Sequence, residues 1–365
     1  MQPNDRFVIL FAAACLLLFG SGERVAHAEE GLRFDLDGKQ ETILPLGYYS
    51  KAILGVKTDG YLLELKPTEI TNPTVVPRFT PLSQAAMRGA LMREFGRSFE
   101  VTGTGSFLIV HPKGKRDQWA SRFEELYRSM LHFFKTRGFP MQRTRFPLVG
   151  IVFYSQSQYE NYCRKVLREN AKNTYGLYTP TSNRIYLFDA TQGSGSNSSL
   201  WQENLATVMH EAAHQTAFNT GIHVRGAVTP AWVAEGIGCL FEARGIYNAF
   251  HYTNQSDRIN YGRLNDYKQL VVKKAASQIQ AIVASDRAFR ADPYSSYAAA
   301  WALTYYLSER EQRNYVRYLK VLAKRKPYEE YSASERVREF TKFFGTDFKM
   351  LATRLNRFLA ESPST

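Results

Sequence analysis

Cysteine is scarce in this chain: Cys15, Cys163 and Cys239 are the only three in 365 residues. That excludes a disulfide framework, so stability must come from an apolar core. Cys163 and Cys239 admit two readings, one bridge in an oxidising compartment or two buried thiols. Long apolar runs are missing beyond residue 28, which excludes a membrane-spanning helix in the rest of the sequence. There is no internal repeat, so no solenoid is expected. Basic residues outnumber acidic ones, 47 to 34, for a net charge of +13, but they are dispersed and no nucleic-acid module accompanies them. The charge therefore points to anionic surroundings, such as cell-envelope polymers or acidic substrates, and not to nucleic acid.

What is present begins with a leader. Arg6, the apolar run from Phe7 to Phe19, and Ala26-His27-Ala28 before Glu29 read as a secretory signal cleaved after Ala28. The chain is thus expected to be exported, to a periplasm or the extracellular space. Lipid attachment at Cys15 is disfavoured, because Ala12 stands where a large aliphatic residue is usual. Asp5 and Glu23 offset Arg6 and Arg24, so the whole excess charge falls on the mature chain.

Residues 29–80 contain short apolar runs, Gly31 to Leu36, Ala52 to Val56 and Tyr61 to Leu65, separated by turn signals, and predict a small β-rich module. Thr71 to Pro77 reads as a linker. Residues 81–365 are expected to form one larger domain. Its first helix runs from Ser83 to Phe95, followed by a hairpin of Phe99 to Val101 with Phe107 to Val110. A helix is predicted from Asp117 to Lys135, with Trp119, Phe123, Leu126, Met130 and Phe134 on its core face. Leu148 to Tyr154 is a buried strand, with a helix near 157–168 and a second hairpin of Tyr175 to Tyr178 with Arg184 to Phe188. Gly193 to Ser199 lacks the third glycine and the lysine of a phosphate cradle, and reads as the rim of a cleft. The chain beyond residue 245 reads as mainly helical, and Lys324-Arg325-Lys326 as solvated surface.

The chemistry lies in His210-Glu211-Ala212-Ala213-His214. Histidines four apart on a helix share one face, so both imidazoles can reach one ion at about 2.0–2.1 Å, and the intervening glutamate can touch a water without being a ligand. An apolar segment precedes the motif, and Asn219-Thr220-Gly221 stops the helix. Thr229-Pro230 is read as N-cap and first residue of a second helix that carries Glu235 back towards the histidines. The opposing reading, ordinary histidines and an exposed glutamate, is weakened by the cost of burying such groups unpaired.

His210 to Gln215, together with Trp232-Val233-Ala234-Glu235-Gly236-Ile237-Gly238-Cys239-Leu240-Phe241-Glu242, resembles the gluzincin zinc metallopeptidases, distantly the aminopeptidase N type, and is most similar to an exported peptidase MA-like group. The resemblance implies an α+β, zincin-like metallopeptidase domain with a mainly helical C-terminal half, behind the small β-rich module. It implies one zinc ion held by His210, His214 and Glu235, with Glu211 as general base and Glu242 behind the ligands. Tyr297, leading the segment to Leu307, matches the tyrosine that in those relatives stabilises the oxyanion; packing at a helix start is the competing reading. It also implies an edge strand that holds extended peptides, which the second strand of the 175–188 hairpin would supply unless that strand is interior. The Gly-x-Met-Glu-Asn segment of the aminopeptidases is missing, so exopeptidase specificity does not carry over, and Cys239 stands where thermolysin relatives place an aspartate that orients a ligand.

The expected function is an exported zinc-dependent peptidase, of endopeptidase type, acting on peptide or protein substrates. The alternative is a catalytically idle zinc-binding envelope protein that holds peptides or cell-wall components; retention of Glu211 speaks against it.

Overall fold

A computed structural model describes residues 29–49, 52–114, 119–172, 174–191 and 198–363. The leader read in residues 1–28, with its cleavage site and Cys15, lies outside them, as do residues 193–197 of the glycine-rich rim. The described chain divides into two units, residues up to Met87 with Thr181–Asn183, and Arg88–Pro180 with the chain from Arg184 onward.

The first unit holds a five-stranded antiparallel sheet of β1 (Gly31–Leu36), β2 (Lys39–Tyr48), β3 (Ile53–Lys57), β4 (Leu62–Leu65) and β5 (Thr71–Val76), in the order β4-β3-β2-β1-β5. Leu36 pairs with Lys39 across Asp37-Gly38, both at positive φ, the two-residue turn whose twist suits a hairpin. Period-two alternation sends Leu32 and Phe34 inward, where they join Ile43, Ile53, Leu65 and Ile70. The predicted linker is instead a strand: Leu32 pairs with Val75 and Arg33 with Thr74. Its threonines and valines favour a strand, and Pro73 is tolerated because β5 lies at an edge, where a missing N–H breaks no ladder.

The second unit carries β6 (Phe99–Gly103), β7 (Phe107–Pro112), β8 (Leu148–Phe153), β9 (Gly176–Thr179) and β10 (Arg184–Phe188), in the order β6-β7-β8-β10-β9. The central three strands are parallel, and both edges are antiparallel. β7 and β8 are buried along their whole length, as a sheet covered on both faces requires. The hairpin's second strand, β10, is interior, and the edge belongs to its first strand, β9.

The helices are α1 (Gln84–Phe95), α2 (Ala120–Thr136), α3 (Gln156–Tyr162), α4 (Ser198–Asn219), α5 (Ala231–Phe241), α6 (Arg244–Tyr247), α7 (Tyr261–Asp266), α8 (Ala275–Ala284), α9 (Arg287–Ala291), α10 (Pro293–Arg310), α11 (Gln312–Leu322), α12 (Ala333–Phe344) and α13 (Phe348–Ala360). The chain is thus mixed α+β, β-rich at its N-terminal end and helical in its C-terminal half. Phe123, Leu126, Met130 and Phe134 on α2, with Trp119 before it, are all buried as their spacing predicts. The helix expected near 157–168 breaks into α3 and a wider turn at Cys163–Leu167. Cys163 and Cys239 are both free and buried, which settles their two readings in favour of thiols. Arg325 leaves the solvated cluster assigned to it: its guanidinium lies 3.6 Å from the Tyr331 ring centroid and 3.4 Å from Glu339 Oε1. No described helix is long and apolar enough to cross a membrane.

Candidate metal centre

The site is built on three helices. Helix α4 ends at Asn219, where Gly221 at φ +91° lets the Ile222 and His223 amides return to the Ala217 carbonyl. The sequence places Thr229 as the cap of α5; the helix instead begins after Pro230, and its first amide, Ala231 N–H, donates to Asp286 Oδ1 at 2.8 Å. A carboxylate 55 positions downstream does the capping, which no local pattern could show. Helix α10 is capped conventionally, Asp292 Oδ1 accepting from Ser295 N–H with Pro293 at the first helical position.

These starts bring His210, His214 and Glu235 together, with one donor atom from each within 4.8 Å of the others. His210 Nε2 is 3.0 Å from His214 Nε2 and 3.2 Å from Glu235 Oε2, and His214 Nε2 is 3.6 Å from Glu235 Oε2. Ligand bonds of about 2.0–2.1 Å around a tetrahedral ion space donors about 3.3–3.4 Å apart, so the triangle fits a metal of that class. Three protein donors also leave one coordination position for a water or substrate oxygen.

Behind the triangle, His210 Nδ1 stands 2.7 Å from Glu242 Oε1, and Glu242 Oε2 accepts from Asn260 Nδ2 at 2.6 Å. Asn260 Nδ2 also donates to the Cys239 carbonyl at 3.1 Å, while its Oδ1 caps α7 by accepting from Arg263 N–H. A second grouping, His210, Cys239 and Glu242, also draws within 4.8 Å. Both Glu242 oxygens are engaged and burial raises the Cys239 thiol, so this group supports the ring better than it would hold an ion.

Charge is unevenly distributed here. Burial alone would lower the His210 imidazole, yet Cys239, Glu235 and Glu242 hold it well above its ordinary value. Burial would raise the Glu235 carboxyl, but His214 and His210 outweigh it and keep the group ionised. Burial also pushes the Tyr297 phenol up, and the nearby Glu235 carboxylate adds to the effect. That phenol stays protonated, a donor, at physiological pH.

Glu211 lies outside the converging trio: its Oε2 accepts from the backbone N–H of Tyr178 on β9 at 2.7 Å. A Cβ built on Gly176, also on β9, would lie 2.6 Å from Thr207 Cγ2 and 3.2 Å from Glu211 Cγ, so glycine is what lets the edge strand approach α4 this closely. Tyr297 places its ring centroid 6.5 Å from that of His210, with the Arg263 guanidinium 5.2 Å above the ring. Asn260, Arg263 and the Tyr178 amide went unnoticed in the sequence. Asn260 alone left a trace, as a cap residue before a short helix.

A family model described as "Protein of unknown function (DUF1570)" matches residues 204–329, a span that contains His210, Glu211, His214, Glu235, Glu242, Asn260 and Tyr297. No curated protein matches the chain. Over those residues the chain is similar to the DUF1570 family.

Proposed function

We propose that this chain is a zinc-dependent peptidase of gluzincin type with a zincin-like second unit, exported by its leader and acting on peptide or protein substrates. The convergence of His210, His214 and Glu235, with His210 Nδ1 tied to Glu242, carries the reading. An antiparallel edge strand over the histidine helix supports it, since an edge strand can take an extended peptide by backbone pairing.

His210, His214 and Glu235 would hold the ion. Bound there, zinc supplies a Lewis acid that polarises a scissile carbonyl and lowers the pKa of a water to about 7. Glu211 accepts the proton from the attacking water and then delivers it to the leaving amine. The Tyr178 amide fixes one oxygen of that carboxylate and so limits its rotation. Tyr297 donates a hydrogen bond to the oxygen on which negative charge develops. Glu242 and Asn260 keep the His210 ring in the tautomer and orientation that ligation needs.

Metal analysis of the purified mature protein, with cleavage of a mixed internally quenched peptide library, tests the reading. About one zinc per chain with cleavage supports it; zinc without cleavage supports the idle binding protein, and no zinc removes both. Mass spectrometry of the exported protein checks the leader, with an N terminus near Glu29 expected.

A further inference from the structure

The chain between Glu242 and Asn260 leaves the site at one end of a hydrogen bond and returns at the other, since the two side chains are joined at 2.6 Å. This segment faces the first half of α4 across a cleft of about 810 Å³. The volume lies in the range of small-molecule sites, about 300–1,000 Å³. Glu242 and Asn260 line it, as does Ala206, one helical turn before His210, so the cleft runs directly from the support of the metal group.

Its chemistry is selective. Among the described residues the walls include Trp201, Tyr247, Tyr252 and Tyr261, with Leu205 and Ile259 the large aliphatic side chains. Both arginines of the lining are already paired, Arg244 with Asp257 at 2.8 Å and Arg122 with Glu125 at 3.3 Å. Glu242 and Asp257 also line the cleft, so the two arginines leave no excess of positive charge to draw a carboxylate or phosphate, and an aliphatic side chain would meet little apolar wall among the described residues. Gln202 and Ser256 instead offer neutral groups that both donate and accept hydrogen bonds, and Asn248, whose Oδ1 is engaged by His251, offers its Nδ2–H donors. Aromatic faces beside neutral amides and hydroxyls suit a ligand with apolar C–H faces and a rim of hydroxyl or acetamido groups.

We propose that this cleft binds a neutral saccharide, held by stacking on Trp201 and on the face of Tyr252 turned away from the Arg244 guanidinium, which lies 4.9 Å from the ring centroid. Sugar binding needs no metal and stands apart from the hydrolytic reading. Its extension, that the substrate is a peptide bearing a glycan, rests on that reading.

Calorimetric titration of triacetylchitotriose and maltotriose into the chelator-treated full chain is the test, with a neutral aromatic peptide, acetyl-Ala-Phe-Ala-amide, as competitor class. One trisaccharide should bind at millimolar concentration or better. Tyr252→Ala should weaken it at least tenfold and Tyr252→Trp should restore it, with circular dichroism of both variants matching the wild-type fold; Tyr252→Ala also removes the Arg244 contact, so it is the restoration by Trp that marks stacking. Trp201→Phe should weaken it severalfold. No binding of either sugar at about 10 mM, sugar binding indifferent to both positions, or binding of the peptide alone overturns the proposal. Sugar binding by a protein that cleaves no peptide would retain the saccharide site and remove only the hydrolytic reading.

Discussion

His210 Nδ1 lies 2.7 Å from Glu242 Oε1, and this contact fixes which face of the imidazole the cluster sees. A carboxylate oxygen accepts, so Nδ1 holds its proton against Glu242, and loss of the Nε2 proton on metal binding would turn that lone pair towards His214 and Glu235. Removing Glu242 should therefore act on metal affinity before it acts on the fold. Glu242→Ala is expected to weaken zinc binding about 10–100-fold, the usual effect of losing such a partner, and Asn260→Ala to do so less. Competition against a chromophoric chelator measures both, and wild-type affinity in Glu242→Ala would count against this role.

The ligands themselves make a sharper case. His210→Ala with His214→Ala should leave no stoichiometric zinc by elemental analysis, while far-UV circular dichroism stays close to wild type. Full occupancy in the double variant would remove the assignment.

Glu211 and Tyr297 separate chemistry from binding. Glu211→Gln should keep zinc and lose most hydrolysis, because an amide cannot accept the water's proton. Tyr297→Phe should keep zinc and lower kcat about 10²–10³-fold, as expected for an oxyanion donor. Equal cleavage by wild type and Glu211→Gln would refute the mechanism.

His223 is a buried titratable group that the proposed mechanism leaves unused. It is 3% exposed, its ring centroid is 5.0 Å from that of Phe218, and neither ring nitrogen has a hydrogen-bond partner. Burial first, and the charge of His214 second, push its pKa down to about 3 from 6.5. The unfolded chain then binds the extra proton between those values, so stability falls as pH drops through that window, by about 1.4 kcal/mol per unit. His223→Leu should lose this part of the acid sensitivity, and it should be more stable at pH 5 because it removes an unpaired polar group. Urea denaturation of the chelator-treated proteins at pH 5 and pH 7 checks this; identical pH dependence in both proteins would be the contrary result.

The sequence displays the candidate metal-binding trio because helical spacing alone aligns His210 with His214, and a short reversing loop returns Glu235. It displays most of β7, Phe107 to Val110, and β8 as apolar runs. What it hides depends on distant partners. Asp286 caps α5 across 55 residues, and Thr71 to Val76 becomes a strand only because β1 offers it an edge. Glu242, already placed behind the cluster by the resemblance, gives the support that Cys239 does not; what the sequence hides is Asn260, which donates to the other Glu242 oxygen. The edge strand is misplaced by one because strand order is a property of the sheet and not of the hairpin.

Gly236 follows the ligand Glu235 directly, and a Cβ built on it would lie 2.7 Å from the Ala300 carbonyl oxygen of α10. The Thr304 side chain lies against the same position, its Cβ 3.0 Å away, so the helix bearing the carboxylate and the helix bearing Tyr297 cross with both a backbone carbonyl and a side chain pressed on the bare Cα of Gly236. Any side chain at position 236 would have to push the two helices apart, and Glu235 with them away from Tyr297. On the proposed reading, the spacing of those two groups therefore depends on position 236 carrying no Cβ.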